Sequence, residues 1–149
     1  FSLRFALGDT YERLGLRKKA IRTFESLVEL DDSSPMILNY LGYILADADT
    51  MLNRSRELIE KALQLEPHNG AYIDSYGWLL FREGDLRGAL EFLKRAEKLI
   101  QADPVIYDHL GDVYMALGKE KKAEENYTKA LEYATGRMFD TILKKKNRK

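Results

Sequence analysis

The chain has two histidines, and one of them stands among residue types that could support chemistry. His109 directly follows Asp108 and lies three positions before Asp112. A histidine with a carboxylate nearby on a helix can be oriented for metal binding or proton transfer. A metal site needs more ligands, however, and no other residue is held at a suitable spacing. His68 lies in a cluster of turn-forming residues. We interpret His109 as a partly exposed histidine with acidic neighbours.

A second pattern, glycine followed by lysine, is only superficially like a phosphate-binding loop. The P-loop has four residues between its glycines and a serine or threonine after its lysine. Here six residues separate Gly111 from Gly118, and Glu120 follows Lys119. No serine–histidine–acid grouping or paired-carboxylate site has a recognisable motif either. The sequence therefore predicts a protein that is not an enzyme, with no catalytic, cofactor-binding or metal-binding residues.

Composition favours a folded domain. The 149 residues are 45% hydrophobic and 32% charged, which is too apolar for a disordered chain. Formal net charge is zero, but five of the last six residues are basic, so the remainder is acidic with 19 basic and 24 acidic residues. Cysteine is absent, which excludes disulfides and thiolate metal sites. No apolar run reaches the roughly 20 residues that span a bilayer, so direct membrane insertion is not expected.

The first residue is Phe1 rather than methionine, and no signal peptide is visible. We expect the chain to be part of a longer protein. The cytoplasm and the bacterial periplasm or envelope are both compatible locations. We interpret the basic end as a solvated tail, because it lacks the interleaved aromatic residues of a nucleic-acid-binding surface, and we predict no nucleic-acid partner.

Helices must position all of these residues, and their arrangement follows from a recurring dipeptide. Leu-Gly or Tyr-Gly recurs at spacings of 34, 35 and 34 residues, with glycines Gly8, Gly42, Gly77 and Gly111. A period in this range is typical of stacked supersecondary repeats. Four repeats result, over 1–34, 35–69, 70–103 and 104–137, and each contains two apolar patterns of helical period.

Turn residues and small residues support two helices in each repeat. Gly15, Gly84 and Gly118 are predicted to end the first helix in a left-handed conformation. The second repeat has no such glycine and one extra residue in the turn 48–52. Small residues at matched offsets let the helices approach closely: Ala20, Ser55, Ala89 and Ala123, then, except in the first repeat, Ala62, Ala96 and Ala130. Large residues fill the gaps around them: Phe24, Ile59, Leu93 and Tyr127 on the second helix.

This pattern resembles the tetratricopeptide repeat family. The fourth repeat matches best, with Tyr107, Leu110, Gly111, Tyr114, Ala123, Tyr127 and Ala130. The resemblance implies an all-α fold, a right-handed α-solenoid of four helix-turn-helix repeats over 1–137. A short capping helix and the basic tail follow over 138–149, and the cap would use Met138, Phe139, Ile142 and Leu143. A truncated fifth repeat is the alternative to the cap. Residues 65–112 also resemble tandem repeats of bacterial envelope-associated proteins.

The first repeat departs from the family pattern at two positions. Arg4 stands where a large apolar residue is usual, and Leu27 replaces a small one. The first repeat is therefore either a modified end or a repeat that has lost an upstream neighbour. Phe1 and Phe5 could then support self-association, as could the terminal helix, although a monomer is favoured.

The resemblance also implies a concave groove, lined by the first helices, that binds extended peptides or partner helices. Offsets 2, 5, 9 and 12 of each repeat share one face of the first helix. The predicted groove residues are Asp9, Glu12, Asn39, Tyr43, Asp74, Trp78, Phe81, Asp108, Asp112 and Met115. We expect Tyr43 and Trp78 to be exposed there. The alternative is that they fill the space between repeats.

Charge and aromatic content predict the partner. The chaperone-binding branch of the family holds a carboxylate with Lys and Arg, but this chain has Phe5, Ala71 and Ser75 at those positions. An acidic and aromatic groove favours a protein or peptide with apolar anchors and Lys or Arg. The predicted function is a protein–protein interaction scaffold. The alternatives are a substrate-recruiting repeat portion of a larger enzyme and a self-association module.

Overall fold

The computed structural model describes residues 2–148, and that range contains nine helices and no strand. The helices are α1 (Ser2–Arg13), α2 (Arg17–Leu30), α3 (Pro35–Asp47), α4 (Leu52–Leu65), α5 (Gly70–Arg82), α6 (Leu86–Leu99), α7 (Pro104–Ala116), α8 (Glu120–Tyr133) and α9 (Gly136–Lys146). Consecutive helices pair into hairpins, and α9 packs against α8. The chain divides into two compact bodies. The N-terminal body holds α1–α4 and ends at His68, and the C-terminal body holds α5–α9 and begins at Asn69.

Side-chain caps start several of these helices. The Ser34 hydroxyl accepts a hydrogen bond from the Ile37 amide, and Asp103 accepts one from the Val105 amide at 2.9 Å. Proline follows both caps at the first helical position, where its missing N–H costs nothing. These local signals explain why α3 and α7 begin where the sequence predicts.

Left-handed residues end the first helix of each hairpin. Gly15, Gly84 and Gly118 have φ values of 75°, 89° and 77°, as predicted. In the second repeat Asp49 takes this role with φ 52°, and the Thr50 amide still donates to the Leu45 carbonyl at 3.1 Å. Met51 adds a further left-handed residue with φ 47°. The extra residue of this repeat therefore lengthens the turn and leaves the helix end unchanged.

The glycine of each repeat lies directly against a large residue of the second helix. A Cβ atom added to Gly8, Gly42, Gly77 or Gly111 would lie 2.8, 2.6, 2.9 or 2.3 Å from Phe24, Ile59, Leu93 or Tyr127. The small residues Ala20, Ser55, Ala89 and Ala123 are fully buried beside these contacts. The close approach of the two helices requires glycine at this position of each repeat, because a side chain there would push the two helices of the hairpin apart. This is why glycine recurs with the repeat length.

Ser55 is the polar exception among the small residues, and its hydroxyl donates to the Gly42 carbonyl at 2.6 Å. We expect Ser55→Ala to lower the free energy of unfolding by about 1 kcal/mol, because one buried hydrogen bond is lost while packing is kept. Urea unfolding followed by circular dichroism measures the change. Thr128→Ala removes an exposed hydroxyl of a helix and should cost less. Equal stability of Ser55→Ala and the parent would show that the hydrogen bond from Ser55 to the Gly42 carbonyl does not stabilise the fold.

The last helix covers α8, but with less apolar surface than predicted. Ile142 is fully buried and Met138 is half-buried, whereas Phe139 and Leu143 are each 37% exposed. Phe1 and Lys149 lie outside the described residues, so the expectations placed on them stay predictions. No helix within residues 2–148 is long and apolar enough to cross a membrane.

Candidate protein-binding face

Five acidic residues of the predicted groove are engaged by other side chains of the chain itself. In the N-terminal body these are Asp9 and Glu12, and in the C-terminal body they are Asp74, Asp108 and Asp112. Each of the five predicted groove carboxylates therefore already has a side-chain partner within the chain.

In the N-terminal body the acids join α1 to α3. The Tyr40 hydroxyl donates to Asp9 at 2.9 Å, and burial together with this bond raises the pKa of Tyr40 to about 12. Arg17 bridges Glu12 at 2.6 Å and Asp47 at 2.8 Å. Although burial lowers the pKa of Arg17, these two carboxylates raise it above its ordinary value. These contacts join α1 to α3, which are the first helices of two consecutive repeats.

The other two predicted groove residues of this body are half-buried. Asn39 and Tyr43 lie on α3, and the Tyr43 side chain, which was expected to be exposed, is partly covered. The side-chain oxygen of Asn39 is buried and has no hydrogen-bond partner among the described residues. A buried carbonyl oxygen of this kind is suited to accept an N–H group.

In the C-terminal body, Trp78 is the centre of a buried cluster, and its expected exposure is wrong. Its side chain is 4% exposed, because the His109 ring stacks on it at 4.0 Å and Phe81 stacks on it at 4.9 Å. The Arg82 guanidinium lies 4.8 Å from the Trp78 ring. Trp78 thus fills the space between α5 and α7, as the alternative interpretation held.

His109 is 3% exposed, so the prediction of a partly exposed histidine is also wrong. Its Nδ1 lies 2.9 Å from the Asp74 Oδ1. Burial lowers the pKa of His109, but the charge and the hydrogen bond of Asp74, together with the smaller effects of Asp108 and Asp112, outweigh burial and raise the pKa. A buried pair of this kind joins two helices and is closed to a substrate. The described residues contain no group of three His or acidic side chains that could hold a metal ion.

A cluster of three residues, which we call the lysine clamp, consists of Asp108, Asp112 and Tyr127. Lys145 of α9 donates to Asp108 at 2.9 Å and to Asp112 at 3.0 Å, and the Tyr127 hydroxyl donates to Asp112 at 2.7 Å. Burial lowers the pKa of Lys145, but Asp112 and Asp108 outweigh it and raise the pKa. Burial raises the pKa of Asp108, and the nearby charge of Asp112 adds to this effect.

The interpretation of the basic end as a solvated tail is therefore wrong for Lys145, whose side chain is 28% exposed. The sequence did contain one signal for this lysine site: Asp108 and Asp112 are four residues apart, which places both carboxylates on one face of the helix. The lysine that reaches them lies more than 30 residues further along the chain, where its neighbours are also lysines. Nothing local distinguishes it from Lys144 or Lys146.

Phe81 and Met115 are the apolar groove residues of the C-terminal body that keep some exposed surface. They occupy the same offset on α5 and α7, Phe81 is half-buried and Met115 is 40% exposed. Phe81 rests on Trp78. The assignment of these residues to peptide binding stays a prediction.

Comparison with known proteins finds tetratricopeptide repeat sequences that are similar to this chain. The model of the tetratricopeptide repeat matches residues 1–34 and 105–135. A TPR repeat-containing protein of Pseudomonas aeruginosa is 38% identical over 86 residues, which is 58% of this chain and 14% of that protein. The chain spans less than a quarter of the length of three curated relatives that it matches.

Solved structures show the same fold. A thermophilic TPR protein of Thermus thermophilus matches with a TM-score of 0.83 and 20% identity, over 99% of this chain and 83% of that one. The crystal structure of MamA matches with a TM-score of 0.62 and 24% identity, over 93% and 84%. The all-α repeat fold expected from the sequence is confirmed.

Proposed function

We propose that this chain is a tetratricopeptide repeat protein that binds a partner segment at the lysine clamp of its C-terminal body, with Phe81 of α5 and Met115 of α7 as apolar contacts. The family supports a protein-interaction scaffold in general. The finer proposal is an extended peptide or helix that carries one lysine and an apolar anchor. The observation that carries it is the lysine clamp, whose two carboxylates hold the amine of Lys145 at 2.9 and 3.0 Å.

The two carboxylates of the clamp support the proposal of a partner that carries a lysine. Asp108 and Asp112 are 16% and 18% exposed, so a lysine bound between them loses water on one side and gains two charge-assisted hydrogen bonds. In the described structure the ligand is supplied by the chain itself. A partner lysine must therefore displace Lys145.

The attachment of α9 supports such displacement. Its N-terminal cap, Thr135, makes no side-chain hydrogen bond to the helix, and Gly136 has φ 58°. Ile142 is the residue of α9 that is fully buried. Helices of this length are marginal without tertiary packing, and weakly packed terminal elements open at low free energy. We infer that α9 competes with the partner segment for the clamp.

Phe81 and Met115 would supply the apolar part of the face. Phe81 rests on the buried Trp78 ring, and the flexible Met115 side chain can adapt to different partner side chains. Apolar anchors give binding energy through burial, whereas the clamp adds specificity for a cation.

Charge reversal at Lys145 tests the proposal. The probe is a labelled synthetic peptide with the sequence of residues 136–148, and its binding to the full chain is measured by fluorescence anisotropy. We expect Lys145→Glu to bind the probe at least about tenfold more tightly than the parent, because the internal competitor is repelled by Asp108 and Asp112. Lys144→Glu makes the same change in net charge at an exposed position and should bind like the parent.

Two further variants separate clamp binding from nonspecific attraction. Asp108→Asn with Asp112→Asn, introduced into the Lys145→Glu chain, should abolish probe binding. A probe with methionine in place of Lys145 should also fail to bind. Circular dichroism verifies that α5–α8 remain folded, and Lys145→Gln provides a milder release of α9. Equal affinity of Lys145→Glu and Lys144→Glu for the probe would contradict the proposal.

A further inference from the structure

The lysine clamp assigns the two oxygens of Asp112 to two different donors. The Tyr127 hydroxyl donates to Oδ1 at 2.7 Å, and the Lys145 ammonium donates to Oδ2 at 3.0 Å. At Asp108 the same ammonium donates to Oδ1 at 2.9 Å. The cation in the clamp is therefore one nitrogen atom between one oxygen of each carboxylate, and it donates two of its three N–H groups to them.

The N-terminal body shows how this chain holds an arginine instead. The Nε of Arg17 lies 3.0 and 3.3 Å from the two oxygens of Glu12, and its Nη2 lies 2.6 Å from Glu12 Oε1 and 2.8 Å from Asp47 Oδ2. Both oxygens of Glu12 thus face the planar guanidinium, which is the arrangement that arginine prefers with a carboxylate. Among the described residues, no hydroxyl group donates to either oxygen of Glu12.

The Tyr127 hydroxyl is a permanent part of the clamp. Tyr127 is 2% exposed, and its ring lies directly against Gly111. Burial raises the pKa of Tyr127, and the hydrogen bond and the charge of Asp112 raise the pKa further. The hydroxyl therefore keeps its proton well above neutral pH and continues to donate to Asp112. An arginine that paired with both oxygens of Asp112 would have to displace this hydroxyl.

The clamp is also partly enclosed. The side chains of Asp108, Asp112 and Lys145 are 16%, 18% and 28% exposed, and the Nζ of Lys145 lies 5.9 Å from the centre of the Tyr127 ring. An ammonium is a compact charge, whereas a guanidinium is a wider planar group with three nitrogens. Enclosure on the side of the ring therefore favours the smaller cation.

From these contacts, and resting on the function proposed above, we infer that Tyr127 makes the lysine clamp selective for an unmodified lysine of the partner over arginine and trimethyllysine. Tyr127 is a positioning residue that acts through Asp112, because it occupies Oδ1 and leaves Oδ2 for a single nitrogen. Trimethyllysine keeps the charge of lysine but has no N–H group to donate to the two carboxylates. The partner is thus narrower in chemistry than a basic peptide in general.

Three labelled probes of equal charge test the selectivity. Each has the sequence of residues 136–148, with lysine, arginine or trimethyllysine at position 145, and binding to the full Lys145→Glu chain is measured by fluorescence anisotropy. We expect the lysine probe to bind about tenfold more tightly than either of the others, because only lysine gives each carboxylate an N–H group without displacing the Tyr127 hydroxyl. Nonspecific attraction is the same for all three probes, since their net charge is the same.

Removal of one hydroxyl group tests the role of Tyr127. Tyr127→Phe, introduced into the Lys145→Glu chain, keeps the ring against Gly111 and frees Oδ1 of Asp112. We expect the preference for lysine over arginine to fall to about twofold, because both oxygens of Asp112 then become available to a guanidinium. A merely structural loss would weaken both probes equally and leave their ratio unchanged. Tyr133→Phe removes an exposed hydroxyl from the same helix and should keep the original ratio.

The lysine of the chain itself provides a measurement that needs no probe. Lys145→Arg keeps the charge of α9, and we expect it to speed hydrogen exchange of the α9 amides several-fold, because the clamp holds arginine less well. Tyr127→Phe combined with Lys145→Arg should return exchange towards the rate of Tyr127→Phe alone. Circular dichroism verifies that each variant is folded.

The outcomes separate the selectivity from the proposed function. A lysine probe that does not bind the Lys145→Glu chain would contradict the proposed function, while faster exchange in Lys145→Arg would still support the selectivity of the clamp. Equal binding of the lysine and arginine probes, or equal exchange in Lys145→Arg and the parent, would overturn the selectivity. A lysine-to-arginine ratio that Tyr127→Phe does not change would overturn the role of Tyr127.

Discussion

Replacing Gly111 by alanine is expected to lower the free energy of unfolding by about 2 to 3 kcal/mol, although alanine is the better helix former. The added Cβ would lie 2.3 Å from the Tyr127 ring. Tyr127 is 2% exposed and its hydroxyl is held by Asp112, so the ring cannot move without breaking that bond. Overpacking therefore outweighs the gain of about 1 kcal/mol in helix propensity. Urea unfolding of the full chain measures the loss.

A smaller residue on the opposite helix provides the control. Tyr127→Leu introduces the side chain that the third repeat has at this position, Leu93, and should relieve part of the clash. The loss of unfolding free energy in the double variant should then be smaller than the sum of the losses in the two single variants by about 1 kcal/mol or more. Met115→Ala changes an exposed position of α7, the helix that also contains Gly111, and should change the free energy of unfolding by about 0.5 kcal/mol or less. Additive effects of Gly111→Ala and Tyr127→Leu would contradict the close contact.

Removing the Asp74 carboxylate is expected to cost about 3 kcal/mol of unfolding free energy below neutral pH, because the charged His109 ring stays buried and loses the carboxylate that lies 2.9 Å from its Nδ1. The effect depends on pH. The pKa of His109 is raised in the folded state above the ordinary value of 6.5. The ion pair therefore contributes fully below that value, and its contribution is lost as pH rises through the folded-state pKa. Asp74→Asn should accordingly differ more from the parent in mild acid than in mild alkali.

Trp78 offers a direct measurement of this titration. It is the single tryptophan of the chain and stacks on His109 at 4.0 Å, so its fluorescence should follow the charge of the imidazole. In the parent the emission should change with a midpoint above 6.5, and Asp74→Asn should shift that midpoint to lower pH. His68→Gln changes the other histidine, which is exposed, and should leave the curve unaltered. A midpoint that Asp74→Asn does not move would exclude the buried ion pair.

The hairpins could be predicted from the sequence because their signals are local. Pro35 and Pro104 mark helix starts, and Gly15, Gly84 and Gly118 mark helix ends, since each acts through the backbone of its own segment. The Asp49 turn shows the limit of such signals. An aspartate can adopt the left-handed conformation that glycine prefers, and the neighbouring positive φ of Met51 has no distinctive residue type.

The groove was predicted less well, because its offsets specify a helix face but not what packs on it. Asp9, Asp74 and Asp108 were correctly placed on the first helices, yet their partners Tyr40, His109 and Lys145 lie 31, 35 and 37 residues further along the chain. Trp78 was placed on the same face and is buried by the same approach of α7 to α5. Helical periodicity contains no information on how closely the next repeat approaches.

The sequence by itself determined the repeat length, the helix boundaries and the all-α fold, because capping, turn geometry and close glycine contacts act within one hairpin. Only the tertiary structure decided which polar side chains are available to a partner. Asp74 and Trp78 of α5 are in contact with His109 of α7. Asp108 and Asp112 bind Lys145 of α9. The physical reason is that burial and charge pairing depend on the distance between elements that are remote in sequence, which no local pattern encodes.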